Sequence, residues 1–466
     1  MSTGNLLEQL ISIAQISKTD FALKMNMAPS GLSKILTSRR LPFSKERRLF
    51  SKQAAKCLAQ GIFAPHCYLK FESLFPVIYD FASQQELELF LENAVSYALD
   101  RDFALEDGGN TEYPPNEISY VGKKEVLNMF CLILSDGLRG GGSMELYSTL
   151  PFLSGQYGEI FRRIKICRFS GLDDVVLNQR FEISFMEDSV DGFDMNALSR
   201  IVCLEKYLDL RLWRVDRKIE YHFLLSRGQF LLQFSIQLDG TPMLTWIRHK
   251  GYLAVFYNAL MKWPTQKLSY TTAEATAFLE ENPGYFQSLA EGGIHAVYNA
   301  LSIGYMLEEK DLTPSQRRAA AARPMLKLFK NILKGDATFH VTIDAMVNIA
   351  ETGKALMPLM GAVELAWNQR IPYLQRFQPY VDDRSTDKVK IINGEIPKMA
   401  VLCAQELALV YIADDSGVRE KIHCFATDRI KNVLDGELAK YDMPTLPFSM
   451  ELWDAYLGEI SKNLLP

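Results

Sequence analysis

Lys45, Arg48, Lys52 and Lys56 recur at spacings of three, four and four residues, which on a helix sets four cations along one side. A phosphate backbone attracts such a row without regard to base sequence, so its natural chemistry is polyanion binding. Other reactive groups are sparse. None of the six histidines, His66, His222, His249, His295, His340 and His423, pairs with another at metal-ligand spacing. His66-Cys67 and His423-Cys424 are adjacent doublets, and neighbours on a strand point to opposite faces. No Gly-x-Ser-x-Gly occurs, so a nucleophile elbow is unsupported. Gly140-Gly141-Gly142 precedes a strand and lacks the Lys-Ser/Thr of a phosphate loop. Asp173-Asp174, Asp382-Asp383 and Asp414-Asp415 sit in turn contexts, where Asp serves the backbone. No catalytic residue, metal or cofactor is expected, and the chain reads as a non-enzyme.

The cation row needs a scaffold. Leu6, Leu7, Leu10, Ile11 and Ala14 recur at helical spacing over Asn5–Gln15. A second helix begins at Ser17, with Asp20 in its first turn, and stops near Asn26, which tolerates the left-handed conformation. After Met27-Ala28-Pro29, Leu32, Ile35 and Leu36 form the apolar stripe of a third helix whose other face presents Ser30, Ser33, Lys34 and Thr37. Arg39 and Arg40 follow, then Pro42, then a fourth helix from about Ser44 to Gln60 carrying the row. Short helix, tight turn and short helix is the layout of a helix-turn-helix.

The 466 residues are 48% apolar and 23% charged, which excludes a disordered, collagenous or disulfide-knitted chain. The net charge of −5 is unevenly spread. Residues 1–70 hold eleven Lys/Arg against three acids, a net +8, leaving −13 on the rest. A basic head on an acidic body implies a polyanionic partner for the head alone. Apolar runs such as Val126–Leu134 are about half the length a membrane span needs. Seven scattered cysteines without a Cys-x-x-Cys pair suit a reducing cytoplasm.

Thr19-Asp20-Phe21-Ala22-Leu23-Lys24, a turn, Ser30-Gly31-Leu32-Ser33-Lys34-Ile35-Leu36 and Arg39-Arg40-Leu41-Pro42 resemble the DNA-binding domain of phage-repressor-like bacterial regulators, over roughly residues 5–60. The resemblance implies that the third helix enters a major groove. It places Ser30, Ser33, Lys34 and Thr37 toward bases, and Arg39 and Arg40 near phosphates or bases. Lys45, Arg48 and Lys52 are then backbone contacts. The family often has an acid and Gly after the recognition helix, where this chain has Thr37-Ser38-Arg39.

Residues 72–99 read as helical, and Asp107-Gly108-Gly109-Asn110 with Pro114-Pro115 marks a linker. From Glu117 the pattern is mixed. Strands are expected at Ile118–Val121, Met144–Leu150, Leu208–Val215, Ile219–Ser226, Phe230–Leu238 and Met243–Arg248, with helices at Lys124–Leu134 and Tyr252–Trp263. A similar order returns with a helix at Met325–Leu333, strands at Thr338–Ile343, Lys388–Ile392, Met399–Leu402, Leu407–Ile412 and Lys421–Thr427, and a helix at Asp428–Tyr441. Leu127–Leu134 aligns with Leu326–Leu333, which reads as a duplicated domain. The apolar row Met346, Ile349, Ala350, Leu356, Leu359 and Met360 reads as a helix hairpin broken near Gly353. The basic cluster Arg317-Arg318 and Arg323 reads as a solvated face.

The order Leu208–Val215, Tyr221-His222-Phe223-Leu224, then a glycine turn and more strand, resembles the phospholipase-D-like fold used by some regulators as a sensor. Active members carry His-x-Lys. Here His222-Phe223-Leu224 and Phe339-His340-Val341 lack the Lys, which implies lost catalysis.

The expected architecture is multidomain: an all-α helix-turn-helix domain (1–68), a helical connector and linker (69–116), and a duplicated mixed α/β body (117–268 and 269–466). The expected function is a cytoplasmic, bacterial-type transcription regulator that binds double-stranded DNA as a homodimer and senses a small-molecule, peptide or protein effector. A nucleic-acid-processing or phage-defence enzyme and a protein-interaction scaffold are the alternatives.

Overall fold

Apolar stripes in the first sixty residues fold into α1 (Thr3–Ile13), α2 (Lys18–Lys24), α3 (Pro29–Leu36) and α4 (Arg47–Ile62), with a 3-10 turn at Ser44–Glu46 ahead of α4. The computed structural model describes residues 1–106, 116–140, 143–152, 158–161, 163–167, 172–182, 194–291, 293–381, 388–392, 396–405, 407–413, 419–427, 429–440, 445–447 and 450–464. Its elements are a mixture of helices and sheets, and no helix among the described residues is long and apolar enough to cross a membrane. By internal contacts the chain divides into two units. One comprises Met1–Phe181, Tyr207–Leu210 and Arg217–Pro264, the other Glu182–Lys206, Arg211–Asp216 and Thr265–Pro466.

In the first unit the helical head continues through α5 (Pro65–Glu72), β1 (Val77–Tyr79) and α6 (Gln84–Glu106). Helix α4 packs along α6, and β1 pairs antiparallel with Ile164–Ile166. The segment read as a connector is therefore built into this unit. The physical reason is an aromatic cluster: the rings of Phe71, Phe75, Tyr79, Phe81 and Phe90 pack mostly edge to face, with Tyr79 and Phe81 only 4.3 Å apart. Of the linker expected near 102–116, residues 102–106 instead continue α6, and the motifs Asp107-Gly108-Gly109-Asn110 and Pro114-Pro115 lie outside the described residues.

Then come β2 (Glu117–Val121), α7 (Lys123–Arg139), β3 (Met144–Ser148), α8 (Gly158–Phe161), β4 (Ile164–Ile166), β5 (Val175–Glu182), α9 (Met195–Glu205), β6 (Asp209–Val215), β7 (His222–Ser226), β8 (Phe230–Ile236), β9 (Pro242–Ile247), α10 (Lys250–Met261) and β10 (Thr265–Lys267). The sheet of the first unit runs β2-β9-β8-β7-β3-β5. Every pair is antiparallel except β3 with β5.

A second series follows: β11 (Ser269–Thr271), α11 (Thr272–Glu281), α12 (Tyr285–Glu291), β12 (Ala296–Asn299), α13 (Pro314–Arg318), α14 (Ala322–Lys334), β13 (Thr338–Thr342) and α15 (Ile343–Thr352). It continues with β14 (Lys354–Met357), β15 (Gly361–Glu364), α16 (Trp367–Gln375), α17 (Gln378–Val381), β16 (Val389–Ile392), β17 (Ala400–Ala404), β18 (Leu407–Ala413), β19 (Glu420–Phe425), α18 (Arg429–Lys440), β20 (Thr445–Pro447) and α19 (Met450–Leu464). Its sheet runs β11-β19-β18-β17-β12-β13-β16-β20. The first six strands repeat the order of the first unit, again antiparallel up to a parallel pair, β12 with β13. The antiparallel pair β6 with β10 stands in the first series where β16 with β20 stands in the second.

Two sequence readings need correction. Leu127–Leu134 lies in α7, between the first and second strands of its series, whereas Leu326–Leu333 lies in α14, between the second and third. The counterparts of α7 are α11 and α12, so the two apolar runs match in composition and not in place. The expected helix hairpin at 346–360 is helix only to Thr352. Gly353 leaves α15 in the left-handed conformation, φ +73°, and β14 and β15 form a strand hairpin turned through Leu359 and Gly361, both at positive φ.

In the parallel pairs of the two series Tyr147 lies opposite Asn178 and Tyr298 opposite His340. Tyr147 meets Tyr257 of α10 at 5.5 Å, and the Tyr298 hydroxyl donates to Asp435 of α18. The His340 ring stacks on Tyr298 at 4.7 Å, and burial pushes its pKa down to about 4, with Asp435 opposing and Lys390 and Lys431 reinforcing the shift. A histidine depressed from 6.5 contributes nothing above pH 6.5 and destabilises as pH falls toward 4, because the unfolded chain takes the proton first. Between pH 7 and pH 4.5 the protein should lose about 2.5 kcal/mol more unfolding free energy than its His340→Leu variant. Denaturant titrations at the two pH values measure this, and parallel losses would contradict it.

Candidate nucleic-acid interface

Local chemistry sets where each helix of the head starts and stops. Ser2 and Ser17 cap α1 and α2, and the Ser17 hydroxyl accepts from the Asp20 N–H at 3.0 Å while donating to the Asp20 carboxylate at 2.7 Å. Helix α3 begins without a side-chain cap and relies on Pro29 in its first turn. All three helices end in a left-handed residue that is not glycine: Gln15, Asn26 and Ser38. After α3 the Ser38 N–H donates to the Ile35 carbonyl and the Arg39 N–H to that of Lys34, a Schellman ending that turns the chain outward at Arg39.

Two glycines fix the spacing. A Cβ on Gly4 of α1 would lie 2.5 Å from the Leu36 carbonyl oxygen and 2.6 Å from that of Ile35, so α1 meets the end of α3 backbone to backbone. A Cβ on Gly61 would lie 2.5 Å from the Ala14 carbonyl oxygen, bringing α4 equally close to the end of α1. Leu6, Leu7, Leu10, Phe21, Leu32, Ile35, Ala54 and Leu58 are buried around these contacts. Sequence periodicity missed Gly4 and Gly61; the available signal was glycine inside helices that it weakens.

The structure places Ser30, Ser33, Lys34 and Thr37 on the exposed side of α3, with Arg39 and Arg40 exposed just beyond it. Lys45 lies in the 3-10 turn, ahead of the helix expected to carry it, while Arg48 and Lys52 are exposed on α4. The Thr37 hydroxyl donates back to the Ser33 carbonyl at 2.8 Å, so toward a partner it can only accept. Arg40 stacks on the exposed ring of Phe43, 4.8 Å from its centroid.

Charge pairing divides the basic residues. Lys18 pairs with Glu8, and Arg47 with Asp100 of α6, whose own carboxyl burial pushes up in pKa against the pull of Arg47. Lys24, Lys34, Arg39, Arg40, Lys45, Arg48, Lys52 and Lys56 are exposed and make no ion pair among the described residues. Glu46 is the single acid between the first and last of them. Lys24, absent from the sequence expectation, sits with Lys56 near Cys57, whose thiol is raised by burial against both cations. A groove of about 120 Å³ lies between Glu8, Lys18 and Thr19 on one side and Ser33 and Thr37 on the other. That is well below the roughly 300 Å³ at which small-molecule pockets begin.

Several of the other reactive groups are used internally. His249 caps α10 by accepting the Tyr252 N–H, and His222 Nδ1 lies 2.9 Å from the Thr149 carbonyl oxygen. Leu224, at the position of the missing Lys, is buried. Ser269 Oγ is 2.8 Å from His423 Nδ1, and His423 Nε2 is 3.1 Å from Glu205, a nucleophile-base-acid order. Ser269 and His423 are 1% and 0% exposed, and the serine oxygen also accepts the Leu212 N–H, so this is a core tie that no substrate reaches. Among the described residues no three His, Cys, Asp or Glu side chains converge as metal ligands. Asp382-Asp383 and Asp414-Asp415 lie outside the described residues.

No family model and no curated protein matches the chain. Among solved structures it is similar to TrmBL2, an archaeal chromatin protein whose structure is described as showing a novel mode of DNA binding. The identity is 13%, the match covers 42% of this chain and 66% of that protein's length, and the TM-score is 0.21.

The backbone contact at Gly4 is directly testable. Gly4→Ala should destabilise the head by about 2 kcal/mol through overpacking against α3. Gly31→Ala, whose Cβ would meet nothing within 4 Å, should be neutral or stabilising by up to about 1 kcal/mol. Chemical denaturation compares them, and equal effects would contradict the packing assignment.

Proposed function

We propose that this chain is a transcription regulator that binds double-stranded DNA through residues 1–62, with α2 and α3 acting as a helix-turn-helix and α3 entering the major groove. The observation that carries the reading is the set of eight exposed cations between Lys24 and Lys56 without acidic partners among the described residues. Ser30, Ser33 and Lys34 supply groups for base edges, and Thr37 supplies an acceptor. Arg39, Arg40, Lys45, Arg48 and Lys52 supply phosphate contacts. The net −13 of the remaining chain supports contact through the head alone.

An eight-residue recognition helix reads few base pairs, so the regulator acts as a homodimer on two half-sites. The repeated α/β body serves as the receptor for a small-molecule, peptide or protein effector, and has no catalytic role. The cytoplasm is the compartment in which such a protein works.

Fluorescence anisotropy with duplex DNA across 50–200 mM salt tests the reading. Five phosphate contacts per subunit in a dimer give a log–log slope of about −9. Arg39→Ala/Arg40→Ala should weaken binding and flatten the slope to about −5. A salt-independent affinity, or unaltered binding by the double variant, would contradict it.

A further inference from the structure

Arg180, on the parallel strand β5, is 6% exposed. Its buried Nε has no acceptor, and Nη1 reaches only the Leu260 carbonyl at 3.4 Å, the long limit of a hydrogen bond. The guanidinium lies 5.6 Å from the Tyr147 ring centroid and 6.0 Å from that of Trp263. Burial is the largest influence on its pKa and lowers it, opposed by Tyr147 and Tyr257; among the described residues no carboxylate pairs with it, the nearest acid in this network being Glu145, which hydrogen-bonds with Tyr147. Buried cations are ordinarily paired, because losing hydration costs several kcal/mol per ion. The carbonyls ending α10 provide only a partial negative charge. A second guanidinium, Arg217, exposed and without an ion pair among the described residues, lies 4.5 Å from the same Trp263 ring.

The second series provides an internal control. Matching Tyr147 to Tyr298 as the two tyrosines that contact α10 and α18, and counting two residues on along β5 and β13, sets Thr342 against Arg180. Thr342 caps α15 by accepting the Ala345 N–H, so this strand position folds without a cation. Strand β3 lies between parallel β5 and antiparallel β7.

We propose that Arg180, Arg217 and the Trp263 ring form a binding site for a small oxyanion, the carboxylate or phosphate group of an effector. The anion supplies the counter-charge that Arg180 lacks, and the guanidinium fork suits both groups. Half-buried Trp263 and exposed Arg217 give solvent access. The site stands apart from the DNA reading, since anion binding is measured without DNA.

Calorimetric titration of the full chain with inorganic phosphate and, separately, citrate, in chloride of matched ionic strength, tests the site. At least one anion should bind with a Kd below about 1 mM. Arg180→Met should weaken that binding at least tenfold while the circular dichroism spectrum is retained, and phosphate against citrate separates the two anion classes. Absence of binding by either anion, or equal affinity in Arg180→Met, overturns the proposal. If Arg180→Met does not fold, the exposed Arg217→Ala decides: a threefold or greater loss of affinity supports the site, and unchanged affinity overturns it.

Discussion

Like charges that are not paired repel, and a protein keeps eight of them within thirty-odd residues only where something else holds the backbone in place. In the head of this chain that support is apolar burial along α1, α2, α3 and α4, brought to close range at Gly4 and Gly61. The repulsion is screened over about 8 Å at physiological salt, so it acts between neighbours such as Arg39 and Arg40 or Lys52 and Lys56. An arrangement that costs stability in the free protein becomes favourable when a polyanion provides the missing charges. The two cations that help to hold the head together, Lys18 and Arg47, are those with carboxylate partners, Glu8 and Asp100.

The body shows one topology put to two uses. Both series lay down the same strand order around a parallel pair, and each sets a tyrosine against a later helix, Tyr147 against α10 and Tyr298 against α18. Chemistry diverges from there. Tyr298 is tied to Asp435 in a hydrogen-bonded cluster that includes Lys431, whereas Tyr147 lies beside the Arg180 guanidinium and hydrogen-bonds with Tyr257 and Glu145. Helix α10 also exposes Tyr252, Val255 and Met261.

Local signals in the sequence were enough for the head. Helical periodicity placed α1 to α3 within a few residues, and Ser17, Asp20 and Asn26 take the capping and turn positions their side chains favour. The strands from β7 to β9 and from β17 to β19 were legible because glycine turns or short polar breaks separate them. What escaped depends on partners distant in sequence. Gly4 matters through Leu36, and Arg47, outside the expected cation row, finds its partner in Asp100. The apolar run 354–364 is strand rather than helix because Gly353, Leu359 and Gly361 adopt positive φ, which composition does not reveal. Arg180 had no motif to mark it; only its burial without a counter-charge does so.

The central claim is that the exposed face of α3 and the cations flanking it form the DNA contact. Amide hydrogen exchange on the full chain, with and without a saturating DNA duplex, tests it most directly. The account predicts slowed exchange confined mainly to residues 29–56. Binding that leaves this segment unprotected, or protection concentrated in the second unit, would contradict it.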